Sequence, residues 1–496
     1  MSDAPHTRAR LPRPRLMSPF LWWVLALVVT LSVAAINGGP LYYFDSGGYL
    51  DNGIKALGQM GLWQPEVTQT GASTGTGGAD DGTVNGSRSL LYSVLSAGIS
   101  VFLGTSMMPL FHSILLLVSV FVFFRILTRE VSGLPQVSTM SGLAIVAAGA
   151  GSLPFYVAYL MPDIFAGILI LLAAVMIAVP SRLTVVETLF LLVVGVAAVL
   201  AHPSHLLLVG GLVFVALLVG LLARQPGWWR AVALLAAMAG AGVAERAAFT
   251  AVADKALDAE VIYYPFLTAR LIQDGVGYDQ LNAVCPNDEN PTCALHAALS
   301  LSDDPMRLTA SHIIFETAPG LGSFRLLSAE DQQKVADAQV AFAVETLLDR
   351  PMGVVGAIVK NTLSQLGMNS IWMTVPDLNV VRGLQQIQNI PDGLIQDGRL
   401  TIVDRGWIDT LDRIHTGYYL ATFAAAFIML LWPGLLPKEI RLIAVVVALG
   451  LLGNAFICGA ISQPADRYGA RVIWLVPFVA AIMFGYVFNR RNRAAG

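Results

Sequence analysis

Two acids and two arginines hold the positions in this chain where chemistry is most readily imagined. Asp45 lies in FDSGGYLDNG, residues 44–53, a few residues beyond the first long apolar run, beside Gly47 and Gly48 and among Tyr42, Tyr43 and Tyr49. A carboxylate in such a partly dehydrated place can take a proton from a hydroxyl acceptor. It can also cap a helix, with Asp45 or Ser46 opening a short helix through YLDNGIKAL, and spacing alone favours the cap. The two roles are compatible. Asp51 is a second acid in the same stretch.

Asp163, in LMPDIFAGILIL, sits between two apolar runs, and the preceding Pro162 suits a helix start. An acid at a membrane edge is a functional candidate because burying its charge is costly; stabilising a helix N-terminus is the plainer role. His202 and His205 form HPSH at an expected outer turn, where the pair lacks the further ligands of a zinc site. His205 remains a candidate donor to an anionic or hydroxylated ligand. In SQPADRYGARVIWLVPF, Arg467 and Arg471 are four apart and share a face if the last helix has begun. Two guanidinium groups on one face suit phosphate, which they bind in a bidentate fork, with an Asp466 ion pair and lipid-headgroup contact as the competing explanation. Arg88 is a third cation within reach, and Tyr49 and Tyr468 accompany the charged residues.

These residues need a membrane to hold them. Of 496 residues, 55% are hydrophobic and 13% charged, about half the charged share of soluble domains. The net charge of −3 gives no sign of nucleic-acid binding. Apolar runs fall at 20–36, 89–104, 108–127, 139–160, 163–180, 185–201, 205–223, 229–249, 416–434, 440–461 and 469–488. The fold class expected is an all-α polytopic membrane protein of about ten or eleven spans with two large extracytoplasmic loops. Arg8, Arg10, Arg13 and Arg15, Arg182, the Arg224–Arg230 turn, Lys438–Arg441 and the Arg490–Arg493 tail mark the cytoplasmic side. Counting from the two termini differs by one crossing between 88 and 139, so 89–104 is expected to be re-entrant or interfacial unless a later span is misplaced.

The organisation reads as a basic cytoplasmic N-terminus (1–19), a membrane module (20–249) containing outer loop 37–88, an extracytoplasmic region (250–415), and C-terminal spans with a cytoplasmic tail (416–496). Within the outer region 328–349 and 351–372 are helical, the latter amphipathic and suited to a membrane surface. Cys285 and Cys293 bracket PNDENPT as either a disulfide or two thiols, while Cys458 reads as a packing residue. TGASTGTGGADDGTVNGSR reads as a mobile loop without a P-loop ending. PNDENP lacks the spaced ligands of an EF-hand. Hydrolase motifs are missing.

Taken together, FDSGGYL after the first span, NGSRSLLY opening the second, MPD at Asp163 and the Arg-Tyr pair of DRYGAR resemble the GT-C glycosyltransferases, in particular the protein O-mannosyltransferase and aminoarabinose-transferase branch. The chain departs from that pattern in having no Asp-Glu pair in the first loop, no proline-rich second helix and no large soluble C-terminal domain. The resemblance implies a GT-C-like bundle and a lipid donor, a polyprenyl-phosphate-linked sugar, with its phosphate at Arg467, Arg471 and Arg88. Asp45 would be general base toward a glycan, lipid or protein acceptor, and Asp163 would orient the acceptor, assist Asp45 or hold a divalent cation. Tyr49, His202, His205 and Tyr468 would line the donor or acceptor site. The setting implied is the inner membrane, with both termini cytoplasmic, the site outside and membrane lipids as partners. A transporter or flippase of a lipid-linked or anionic substrate, or a non-catalytic assembly subunit, would use similar ingredients.

Overall fold

A computed structural model describes residues 17–63, 83–285, 290–318, 320 and 322–494. The N-terminal arginines, most of the glycine-rich stretch and part of PNDENP lie outside the described residues. The first half of the chain runs through helices α1 (Pro19–Asn37), α2 (Phe44–Gln59), α3 (Leu90–Leu103), α4 (Met107–Glu130), α5 (Val137–Gly149), α6 (Leu153–Ala158), α7 (Ile164–Ala178), α8 (Val185–Ala201), α9 (Pro203–Leu222) and α10 (Trp228–Leu257). A region of shorter helices follows: α11 (Phe266–Gln273), α12 (Val276–Val284), α13 (Cys293–Leu299), α14 (Ala310–Phe315), α15 (Ala329–Asp349), α16 (Pro351–Gly367), α17 (Leu378–Gln385) and α18 (Arg399–Ile402). The chain closes with α19 (Gly406–Leu431), α20 (Lys438–Phe456), α21 (Asp466–Ile473) and α22 (Leu475–Ala494).

Among the described residues seven helical stretches are long and apolar enough to cross a membrane: α1, α4, α9, α10, α19, α20 with its extension to Ile461, and α21–α22 taken together. Four shorter apolar helices, α3, α5, α7 and α8, stand among them. The chain is an all-helical, polytopic integral membrane protein. At about 1.5 Å per residue, the 14 residues of α3 reach about 21 Å, short of a hydrocarbon core of about 30 Å.

Two apolar runs are broken. The run 139–160 divides at Ala150–Ser152, where Gly149, Gly151 and Pro154 weaken helix continuity. The final run divides at Trp474. Every residue of α7 is buried, so a helix apolar on all sides forms the centre, packed by α4, α8, α9 and α20. Lipid is as apolar as leucine, so such a centre is held chiefly by close packing.

Strands β1 (Thr83–Asn85) and β2 (Glu260–Ile262) pair in parallel, an element the all-α expectation did not contain. With Ser87 Oγ accepting from the Tyr264 amide at 2.9 Å, the pair fastens the segment before α3 to the region after α10. In that region Cys285 and Cys293 form a disulfide, with Cα atoms 5.2 Å apart. The other end of the bundle is basic. There Arg129 holds Glu187 through two hydrogen bonds of 2.7 and 3.1 Å, and Lys438 donates to the Ala223 carbonyl at 2.9 Å.

Candidate functional site

The site forms where three loops are pinned at one end of the bundle. After α1 stops at Gly38, whose φ of +86° is left-handed, Leu41 pairs with the 158–160 segment through two backbone hydrogen bonds of 2.8 Å. Ser46 Oγ then does two things. It accepts from the Tyr43 amide at 2.8 Å, starting α2, and donates to the Leu160 carbonyl at 2.9 Å. These contacts carry Asp45 to the neighbourhood of Asp163. Opposite them, Tyr156 Oη donates to the Arg467 carbonyl at 2.7 Å and Ser152 Oγ to the Ala470 carbonyl at 2.6 Å, seating α21.

Neither acid caps its helix. Asp45 falls in the first turn of α2 and Asp163 just before α7, yet no capping hydrogen bond comes from Asp163, and the α2 cap is made by Ser46. Both carboxylates turn to guanidinium groups instead. Asp45 Oδ1 accepts from Arg88 Nη2 at 3.1 Å and Oδ2 from Arg467 Nη1 at 3.2 Å. Asp163 Oδ1 accepts from Arg471 Nη1 at 3.3 Å and lies 3.8 Å from Arg467 Nε. Arg467 therefore bridges the two acids, its Cζ 4.6 Å above the ring of Tyr43 and 4.9 Å above that of Tyr468.

Three guanidiniums face two carboxylates, so the cluster carries one net positive charge. It also has unspent polar atoms: buried Arg88 Nη1, Arg467 Nε and Asp163 Oδ2 have no hydrogen-bond partner. Such atoms are costly to leave unpaired and suit a polar ligand. Arg467, Arg471 and Asp163 are almost wholly buried, whereas the Asp45 side chain keeps 33% of its exposure. Asp45 is thus the accessible member. Burial works to raise its carboxyl pKa, but Arg467 and Arg88 outweigh burial and hold it below the ordinary carboxylate range.

The other sequence candidates surround this core. Tyr49 is buried one turn along α2, edge-on to Tyr92 at 5.2 Å. Tyr468 lies under Arg471 as well, at 5.1 Å. His202 caps α9, its Nδ1 accepting from the Ser204 amide at 3.1 Å, and Ser204 Oγ also accepts from Arg471 Nη2 at 3.3 Å. Burial and the charges of Arg471 and Arg467 push the His202 imidazole pKa well down. His205 is hydrogen-bonded from Nδ1 to the Ala198 carbonyl at 2.7 Å, which leaves Nε2 buried without a partner. The histidine rings are 5.3 Å apart, and among the described residues no group of three acidic, histidine or cysteine side chains could hold a metal.

Three residues gain or lose a place. Asn454 Oδ1 accepts from Arg471 Nε and Nη2 at 3.2 and 2.9 Å, and Cys458 Sγ lies 3.2 Å from Nη2. Both come from the end of α20, where Ile457–Ile461 widens into a π-helix, so Cys458 is a polar neighbour of Arg471 as well as a packing residue. The sequence signal was there: Asn454 is an amide inside an apolar run, four residues before Cys458. Asp51, by contrast, points away from the arginines, pairing with Lys55 and with Asn389 Nδ2, each at 2.8 Å.

Gly48 makes the Arg88–Asp45 contact geometrically feasible. A Cβ on residue 48 would lie 1.5 Å from Arg88 Nη1 and 2.3 Å from its Cζ. Gly48→Ala is therefore expected to evict the Arg88 side chain while leaving α2 folded, since alanine is the better helix former. Loss of anion binding by the cluster, with an unchanged melting temperature in the free protein, is the expected reading. Unchanged ligand binding would refute Arg88 as part of the site.

No protein-family model and no curated protein matches the chain. Among solved structures it is similar to ArnT from Cupriavidus metallidurans. The apo form is 14% identical over 94% of this chain and 77% of that one, with a TM-score of 0.33. The form bound to undecaprenyl phosphate is likewise 14% identical, over 96% and 78%, with a TM-score of 0.34. Both are distant likenesses.

Proposed function

We propose that this protein is a membrane glycosyltransferase that moves a sugar from a polyprenyl-phosphate donor to an acceptor hydroxyl on the extracytoplasmic side. The observation that carries the reading is the cluster of three arginines and two carboxylates at the helix ends, with one net positive charge and unspent N–H donors. A phosphate at the edge of a bilayer answers both.

The chemistry follows from the pairing. An entering donor phosphate competes with Asp45 for Arg467 and Arg88. As the guanidiniums turn to the phosphate, the carboxylate loses the partners that depress its basicity. Donor binding thus frees the base. The acceptor oxygen then attacks the anomeric carbon as its proton passes to Asp45. The bond from that carbon to the phosphate oxygen breaks, and the departing phosphate keeps the electron pair. Arg88 and Arg467 stabilise the charge that develops there. A single displacement inverts the anomeric centre. Asp163 serves as the fixed counter-ion of Arg471, and His202 steadies that arginine through Ser204.

The orientation rests on two supports. Arg129, Arg182, Lys438 and Arg441 gather at the end opposite the site, as expected of a cytoplasmic face. The disulfide lies in the region beyond α10 on the site's side, as suits an oxidising compartment. By this reading the protein sits in the inner membrane with its termini cytoplasmic.

Melting temperature in neutral detergent, with and without short polyprenyl phosphates, tests the donor site. A ligand at 100 times its Kd stabilises by about 2.7 kcal/mol. The stabilisation should appear in the native protein and vanish in Arg88→Ala and Arg467→Ala. No shift with any polyprenyl phosphate would reject the donor reading and return weight to a transporter or an assembly subunit.

A further inference from the structure

Helix α16 carries apolar residues on its exposed side as well as on its buried one. Met352, Val355, Val359, Leu363 and Leu366 form one exposed face, with Met352 at 84% and Leu363 at 63% exposure. Its buried face joins Val354 and Ile358 to two amides: Asn361 donates to Asp274, and Gln365 accepts from the Ala465 amide and donates to its carbonyl, each at 2.9 Å. An exposed apolar face of this length on a helix of a membrane protein suits contact with lipid. Its position agrees, because it packs on the end of α20, a membrane-spanning helix. A Cβ added to Gly459 there would lie 2.6 Å from the Asn361 carbonyl oxygen.

Between α16 and α11 opens a groove of about 540 Å³, floored by Gln463 and Pro464. Its acid is already satisfied, since Asp274 accepts from both Arg270 and Asn361. Lys360, on the groove wall, makes no ion pair with any described residue. Ser364 and Gln463 offer further unspent polar groups. The groove therefore presents one uncompensated positive charge beside the exposed apolar face of α16.

We propose that this groove binds the anionic headgroup of a membrane-borne amphiphile, with the amphiphile's chain laid along the exposed apolar face of α16. The site is separate from the Asp45–Arg467 cluster and does not depend on the transferase reading; within that reading it is where a lipid-borne acceptor waits. Gln365 joins it to the segment leading into Arg467.

A thiol placed in the groove reports on it alone. Cys285 and Cys293 are joined and Cys458 is buried, so Ser364→Cys introduces an accessible thiol beside Lys360. In the full-length protein in a neutral maltoside detergent, dodecyl phosphate at ten times its Kd should slow maleimide labelling of that thiol about tenfold. Inorganic phosphate should not. Protection should disappear when Lys360→Glu is added. It should also disappear with Gly356→Leu, which fills the groove at a position where a Cβ meets no atom within 4 Å. Unprotected labelling in dodecyl phosphate, or protection that survives Lys360→Glu, overturns the proposal. Equal protection by inorganic phosphate overturns its amphiphile part and assigns a free-anion site.

Discussion

Asp45→Asn is expected to lose transfer by about 10²–10⁴-fold, the range that a positioned proton acceptor contributes, while its melting temperature stays near that of the native protein. Asparagine keeps the shape of the side chain and can still accept a hydrogen bond from Arg88 or Arg467 through its amide oxygen. It cannot take up the proton of the acceptor hydroxyl. A second readout separates this from mere damage. In the native protein the donor phosphate must draw Arg88 and Arg467 away from a carboxylate. In the variant it competes only with a neutral amide, so polyprenyl phosphate should bind more tightly as turnover collapses. Single-turnover transfer, measured beside the ligand-induced melting shift, gives both quantities. Undiminished transfer would end the base assignment. Weakened binding together with lost transfer would mean that Asp45 holds the arginines in place and has no role as base.

Arg471→Met should be the most destabilising single substitution in the cluster. Arg471 is 1% exposed and Asp163 is fully buried. Removing the cation leaves Asp163, away from water, with only the longer 3.8 Å contact to Arg467 Nε, and orphans Asn454 Oδ1 of two donors. Breaking one side of a buried pair costs about 3–5 kcal/mol, whereas replacing both partners with apolar groups is often close to neutral. The double variant Arg471→Met/Asp163→Leu should therefore recover much of the stability lost by the single one. Thermal unfolding of the two singles and the double in one detergent forms the cycle. Additive losses would show that the 3.3 Å contact holds no coupling energy.

The two experiments divide the cluster by location. Asp45, one-third exposed, belongs to the chemistry proposed, and Arg471–Asp163 to the frame that keeps Arg467 in position. Both acids were conspicuous in the sequence for the same reason: a carboxylate next to an apolar run has to be accounted for. Apolar runs are equally legible, since about 20 residues of one composition leave few alternatives in a bilayer. What sequence could not supply was pairing at a distance. Nothing near Asp51 announces Asn389, and nothing near Asp45 announces that Gly48 must be bare for Arg88 to cross it. The short length of α3 was already visible in the run 89–104, but those of α5 and α7 were hidden, because composition marks a segment as apolar without fixing where its helix breaks. At Ala150–Ser152, where glycines and Pro154 weaken the helix, Tyr419 Oη also accepts from the Ser152 amide at 2.7 Å, a contact made from far along the chain. Asn454 was readable in principle, as the sole amide in GLLGNAFICGA, but its partner was not.

The short parallel ladder between Thr83–Asn85 and Glu260–Ile262 has a mechanical consequence. Arg88 stands three residues beyond β1, and the other rail of the ladder leads straight into the region that carries the groove. The two segments are thereby tied together. On the proposed reading, a molecule settling against α11 and α16 applies torque to the rail that aims Arg88, so arrival of one substrate is felt as tension on the ion pair that governs the other.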